Sequence, residues 1–85
     1  MKINIKKNKN IDSYKSWPIW TCEKSRFDWV YDQEEHCFII EGEVRVTGNG
    51  NSVLISKGDY VIFPKGLKCS WEVTKPIVKH YNFKQ

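Results

Sequence analysis

Turn-forming residues interrupt this chain too often for a long helix to form. Gly42, Gly48-Asn49-Gly50-Asn51, Lys57-Gly58-Asp59, Pro64-Lys65-Gly66 and Pro76 cut it into short runs. Gly and Asn accept positive φ cheaply and proline lacks a backbone donor, so each cluster marks a reversal or a strand end. Between the turns the sequence alternates. Phe27, Trp29 and Tyr31 fall on one face of an extended segment, with Asp28 and Val30 on the other. Residues 35–46 are rich in Ile, Val and Phe and predict a long strand kinked at Gly42. Residues 52–55, 60–63, 69–73 and 77–83 read as further strands, with Pro76 breaking the last two apart. Ile3 and Ile5 alternate with Lys2 and Asn4, which predicts a short edge strand guarded by lysine. Residues 7–16 are polar and predict irregular chain or one helical turn. No amphipathic helix is visible. Many short strands with regular turns predict an all-β sandwich or barrel.

Eighty-five residues are expected to make one small domain, with 1–16 as a basic leader and edge strand. A chain of this size buries only about 60–65% of its unfolded surface. Four each of Trp, Tyr and Phe partly compensate, and a homodimer is expected as a second remedy for a thin core. The net charge of +4 is concentrated in Lys2, Lys6, Lys7 and Lys9. A basic leader of this kind predicts a solvated terminus, not the basic stripe of a nucleic-acid module. Cys22, Cys37 and Cys69 are odd in number and lack C-x-x-C spacing. They predict free thiols and a cytoplasmic setting, not a disulfide framework or structural zinc. No apolar stretch reaches the ~18 residues of a membrane span, and the charged first residues lack an apolar h-region, so neither a span nor secretion is expected. P-loop, G-x-G-x-x-G, G-x-S-x-G and H-E-x-x-H motifs are all absent.

Two spaced signatures narrow the fold. Glu35 and Gly42 form E-x6-G. After fifteen intervening residues, Gly58, Pro64, Gly66 and Cys69 form G-x5-P-x-G-x2-C. Together they resemble the paired motifs of the cupin family, G-x5-H-x-H-x(3,4)-E-x6-G and G-x5-P-x-G-x2-H-x3-N. The resemblance covers residues 20–83 and implies a single cupin barrel, a double-stranded jelly roll. It also implies that Glu35 points into the barrel. Metal-binding cupins hold one divalent ion with the two early histidines, the glutamate and the late histidine. Here the early pair falls on Asp28 and Val30, or in the other register on Trp29 and Tyr31, and Cys69 stands at the last position. No metal cofactor is therefore expected, and a divalent ion at Glu35 and Cys69 is the residual alternative. Several stretches are similar to a narrower group, the ureidoglycine aminohydrolase cupin domain. They are Trp17-Pro18-Ile19-Trp20, Phe27-Asp28-Trp29, Cys37 to Gly42, Phe63 to Trp71 and Lys79-His80-Tyr81. That similarity implies a Mn-dependent aminohydrolase releasing ammonia from ureidoglycine or a related amide.

The residues themselves name candidate chemistry. Glu35, Cys37 and Ile39 share one strand face, as do Cys69 and Trp71. A carboxylate in an apolar pocket is a candidate general acid or base, which singles out Glu35. A thiolate near a cation is a candidate nucleophile, which singles out Cys69. Asp28, Tyr31, Cys37, Phe63 and Trp71 are the expected ligand-lining residues. His36, next to Glu35, is expected on the opposite face. Trp17 and Trp20 are expected at an interface or lid. The expected function is binding of a small organic ligand in the barrel pocket without the three-His-one-Glu metal site. The aminohydrolase and a dimerising interaction module are the alternatives.

Overall fold

The computed structural model describes residues 2–7 and 13–84; the part of the polar 7–16 segment at 8–12, including Lys9 of the leader, lies outside the described residues. Seven strands follow in order: β1 (Asn4–Lys7), β2 (Ile19–Cys22), β3 (Ser25–Val30), β4 (Glu34–Gly48), β5 (Asn51–Ser56), β6 (Asp59–Phe63) and β7 (Lys68–Lys84). A short 3-10 helix at Ser13–Ser16 precedes β2.

Two long strands organise the rest. β4 and β7 pair antiparallel along nearly their whole lengths, from Glu34↔Lys84 to Gly48↔Cys69. Each then takes different partners at its two ends. The first half of β4 pairs with β6, which pairs with β1 at the edge. The second half of β4 pairs with β5. The first half of β7 pairs with β3 and the second with β2. The halves thus make two layers that share β4 and β7, the arrangement of a cupin jelly-roll barrel.

The change of layer occurs where Gly42 meets Pro76. Register shifts fall between Ile39 and Val44 on β4, and Gly42 sits at φ +98°. A Cβ at Gly42 would lie 2.1 Å from the Pro76 carbonyl oxygen. Only glycine fits that approach. This corrects one expectation: Pro76 does not end a strand, and β7 runs through it. The bulged register removes the need for a ladder donor at that position, so the missing N–H does not break the pairing. The Asn49-Gly50 reversal matches the expected hairpin, with both residues at positive φ (53° and 78°) closing Gly48 on Asn51.

The core lies between the layers. Cys37, Ile39, Val44 and Val46 from β4 meet Val61 and Phe63 from β6 and Trp71, Val73 and Ile77 from β7, all buried. Each such large apolar side chain contributes roughly 1.5–3 kcal/mol through burial. No helix among the described residues is long and apolar enough to cross a membrane.

Candidate functional site

A cleft of about 230 Å³ opens beside the core, with Glu35 and Lys79 among its walls. Trp71, Val73, Ile77 and Lys79 of β7 are buried in alternation with more exposed neighbours, with exposed Lys75 and Pro76 interrupting the run. The same period brings Phe27, Trp29 and Tyr31 to the cleft from β3 and the turn after it. Trp20 reaches it from β2, and Tyr81 and Phe83 from the end of β7. Trp29 and Phe83 are exposed as well, which makes the mouth of the cleft apolar.

The aromatic walls are ordered by ring contacts. Tyr31 stacks on Phe63 at 4.6 Å and 7°. Phe27 stacks on Trp71 at 5.9 Å, and Trp20 meets the Trp71 ring edge-on at 5.8 Å. Pairs of this kind contribute about 0.5–1.5 kcal/mol each beyond their area. They also fix the rings, so the cleft is shaped before anything enters it.

Against these walls sits one ion pair. Lys79 Nζ donates to Glu35 Oε2 at 2.6 Å, and each side chain is only 6% exposed. The ammonium also lies 4.8 Å from the ring centroids of both Trp20 and Trp71, and 5.9 Å from Phe63. Two buried charges are tolerated because they satisfy each other, and the ring faces add further stabilisation to the cation. The Trp71 indole N–H is buried and has no partner in hydrogen-bonding geometry, although it lies close enough to Tyr31 and Cys69 to oppose in part the rise of their pKa values.

Burial dominates the titration of the neighbouring groups. It pushes the Cys37 thiol up to about 12, with Lys79 pulling down and Glu35 adding to the rise. Burial first, then the Glu35 charge, holds the Tyr31 hydroxyl far above its ordinary value. Burial likewise raises Cys69, with Asp28 and Glu35 adding to it. All three groups stay protonated at neutral pH.

The expected site residues divide accordingly. Glu35, Tyr31 and Trp71 line the cleft. Asp28 does not: it is exposed on the other face of β3, where Oδ1 accepts from the Ser70 hydroxyl at 2.8 Å. Period two puts it there, opposite Phe27 and Trp29. Cys37 and Phe63 point inward but belong to the packed core behind the walls, outside the cleft's lining. Cys69 is also inward, yet it pairs across from Gly48 within the core and keeps its proton. Burial thus disfavours the thiolate form that a nucleophile at this position would need. Trp17 and Trp20 are engaged within the chain: Trp17 packs 6.3 Å from Tyr60, and Trp20 is a cleft wall.

Lys79 is the cleft residue that sequence reasoning missed. Reading 69–83 as one strand through Pro76 places it on the same face as Trp71 and Ile77, which is the signal that would have found it. Among the described residues no group of three or more His, Cys, Asp or Glu side chains converges as a metal site would require. Within the cleft the carboxylate of Glu35 is held by the ammonium of Lys79. The donor set therefore does not fit a cupin metal ion.

A family model described as the EutQ-like cupin domain matches residues 11–81. A DUF861 family protein from Thermotoga maritima has a similar structure, with a TM-score of 0.93 and 45% identity, covering 98% of this chain and 100% of that one. The EutQ protein of Clostridium difficile aligns with a TM-score of 0.70 and 25% identity over 76% of this chain; the match spans 52% of that protein. An RmlC-like cupin from Shewanella frigidimarina shares the fold, with a TM-score of 0.59, 13% identity, and coverage of 76% of this chain and 64% of that one. No curated protein matches the chain.

Proposed function

The chain belongs to the EutQ-like cupin domain family, and from that premise we propose that its cleft binds a small, flat, carbonyl-bearing organic molecule without a metal ion. The observation that carries this reading is the buried Glu35–Lys79 pair opening on an otherwise aromatic cleft. An apolar ligand body lies against Trp20, Phe27 and Trp29. Its polar end meets Lys79, a donor to a carbonyl oxygen, and Glu35, an acceptor for an adjacent N–H. Pockets of this kind, mostly apolar with a few convergent polar groups, are the usual small-molecule sites.

Titration with benzamide and phenylurea, read by tryptophan fluorescence, tests the proposal. Saturable quenching that weakens in Trp29→Ala is expected. No saturable change with either probe would overturn it.

An aminohydrolase acting on ureidoglycine or a related amide is the second reading. One observation favours it: Glu35 lies beside a donor able to hold an amide oxygen, so the carboxylate is placed to take a proton from an attacking water. Ammonia release from ureidoglycine is the assay, and no release ends this reading. A homodimer also belongs to the proposal. Its support is the exposed Ile19 on β2, a strand at the edge of the sheet; a monomer mass by light scattering would remove it.

A further inference from the structure

We propose that Lys79 is a nucleophile that captures an aldehyde or ketone as an imine. This rests on the pocket reading above and names a reaction for it. Three features of the cleft point the same way. The amine is part of the cleft wall, within reach of anything that fills it. Its one hydrogen-bond partner given by the structure is a carboxylate at 2.6 Å, a proton acceptor in place. The surrounding rings of Trp20, Trp71 and Phe63 leave the Lys79 side chain only 6% exposed, which limits the water that would hydrolyse the product.

The step balances within the pair. The Lys79 ammonium passes one proton to Glu35, and the freed Nζ lone pair forms a bond to the carbonyl carbon. The carbonyl oxygen takes a second proton from the nitrogen and the first back from Glu35, and leaves as water. What remains is an iminium on Lys79 beside the Glu35 carboxylate. The cleft therefore holds one cation and one anion before and after.

Charge conservation selects the substrate class. Acylation of Lys79 by an ester or thioester would abolish its charge and leave a buried, unpaired carboxylate. Imine formation keeps the cation beside Glu35 and between the faces of Trp20 and Trp71, where the structure already stabilises one. Aldehydes and ketones fit this site, and acyl donors do not.

The experiment uses the full chain with benzaldehyde and cyanoborohydride, followed by peptide mass spectrometry. One benzyl group is expected on Lys79 ahead of the exposed lysines. Benzamide, which fills the cleft but forms no imine, is expected to protect Lys79 and leave surface labelling unchanged. Labelling of surface lysines with Lys79 unmodified would overturn the proposal. If benzamide still quenches the tryptophans in that case, the imine alone falls. If it does not, the pocket reading falls with it.

Discussion

Glu34 and Glu35 are adjacent on β4, and each carboxylate meets a basic side chain, but on opposite faces of the sheet. On the inner face Glu35 and Lys79 are both 6% exposed and walled by aromatic rings. On the outer face Glu34 Oε2 lies 2.8 Å from His36 Nε2, with side-chain exposures of 46% and 14%. His36 Nδ1 lies 2.7 Å from the Tyr60 hydroxyl, and Tyr14 stacks on the neighbouring Phe38 at 4.3 Å. The two pairs are alike in distance and unlike in solvent. Water screens the outer pair and would replace a lost partner, while nothing replaces a partner lost inside. The difference teaches that position relative to the barrel wall, and not the pairing itself, sets how much each carboxylate depends on its partner.

The largest test of that contrast is Lys79→Met. It should destabilise the fold by about 3–5 kcal/mol in denaturant unfolding, because Glu35 is left charged, buried and unpaired. Combining it with Glu35→Leu should recover most of the loss. A double variant as unstable as the single would break the argument, since shape and not charge would then be responsible.

Alkaline pH gives the next effect. The folded chain raises the Cys37 thiol from its ordinary 9.0 to about 12, so it binds that proton more tightly than the unfolded chain does. The resulting stabilisation is complete below pH 9.0 and is lost as pH rises toward 12, by up to about 1.4 kcal/mol per pH unit. Tyr31 adds to the decline at the upper end, being raised from 10.0. Urea midpoints measured across this range should fall less steeply in Cys37→Val. Equal slopes would mean that the thiol is not held by burial.

The smallest effect belongs to the outer face. Glu34→Gln should cost less than about 1 kcal/mol, and the cost should shrink further in high salt. A loss matching that of Lys79→Met would erase the distinction between the faces.

Much of this arrangement was legible in the sequence, because strand period two is a strong rule. It put Phe27, Trp29 and Tyr31 on one face and His36 opposite Glu35, while the cupin resemblance implied which of those faces is the inner one. The spaced glycines and prolines located the turns and the cupin barrel. What escaped was long-range. Pro76 reads as a strand breaker because its conflict with the ladder is local, whereas the relief comes from Gly42, thirty-four positions earlier. Breaking the strand there severed Lys79 from Trp71 and hid the parity that places it inside. Cys69 was weighted by its motif position, but packing against the core, which no spacing reports, keeps its thiol protonated. Asp28 was assigned to the lining by motif register although its own strand parity pointed away.

β7 is the last described strand in chain order; β2 and β3 pair with it alone among the described strands, and β4 pairs with it along one edge. Until residues 68–84 are available, those three strands present open edges, with Trp20 and Phe27 deprived of their contacts with Trp71. Assembly of the two layers is then one late, non-local event, which predicts slow folding with a single exponential phase. A pause before that segment emerges leaves a population exposed to intermolecular strand pairing. Early truncation or a stalled nascent chain should therefore aggregate, and not persist as a smaller native-like sheet.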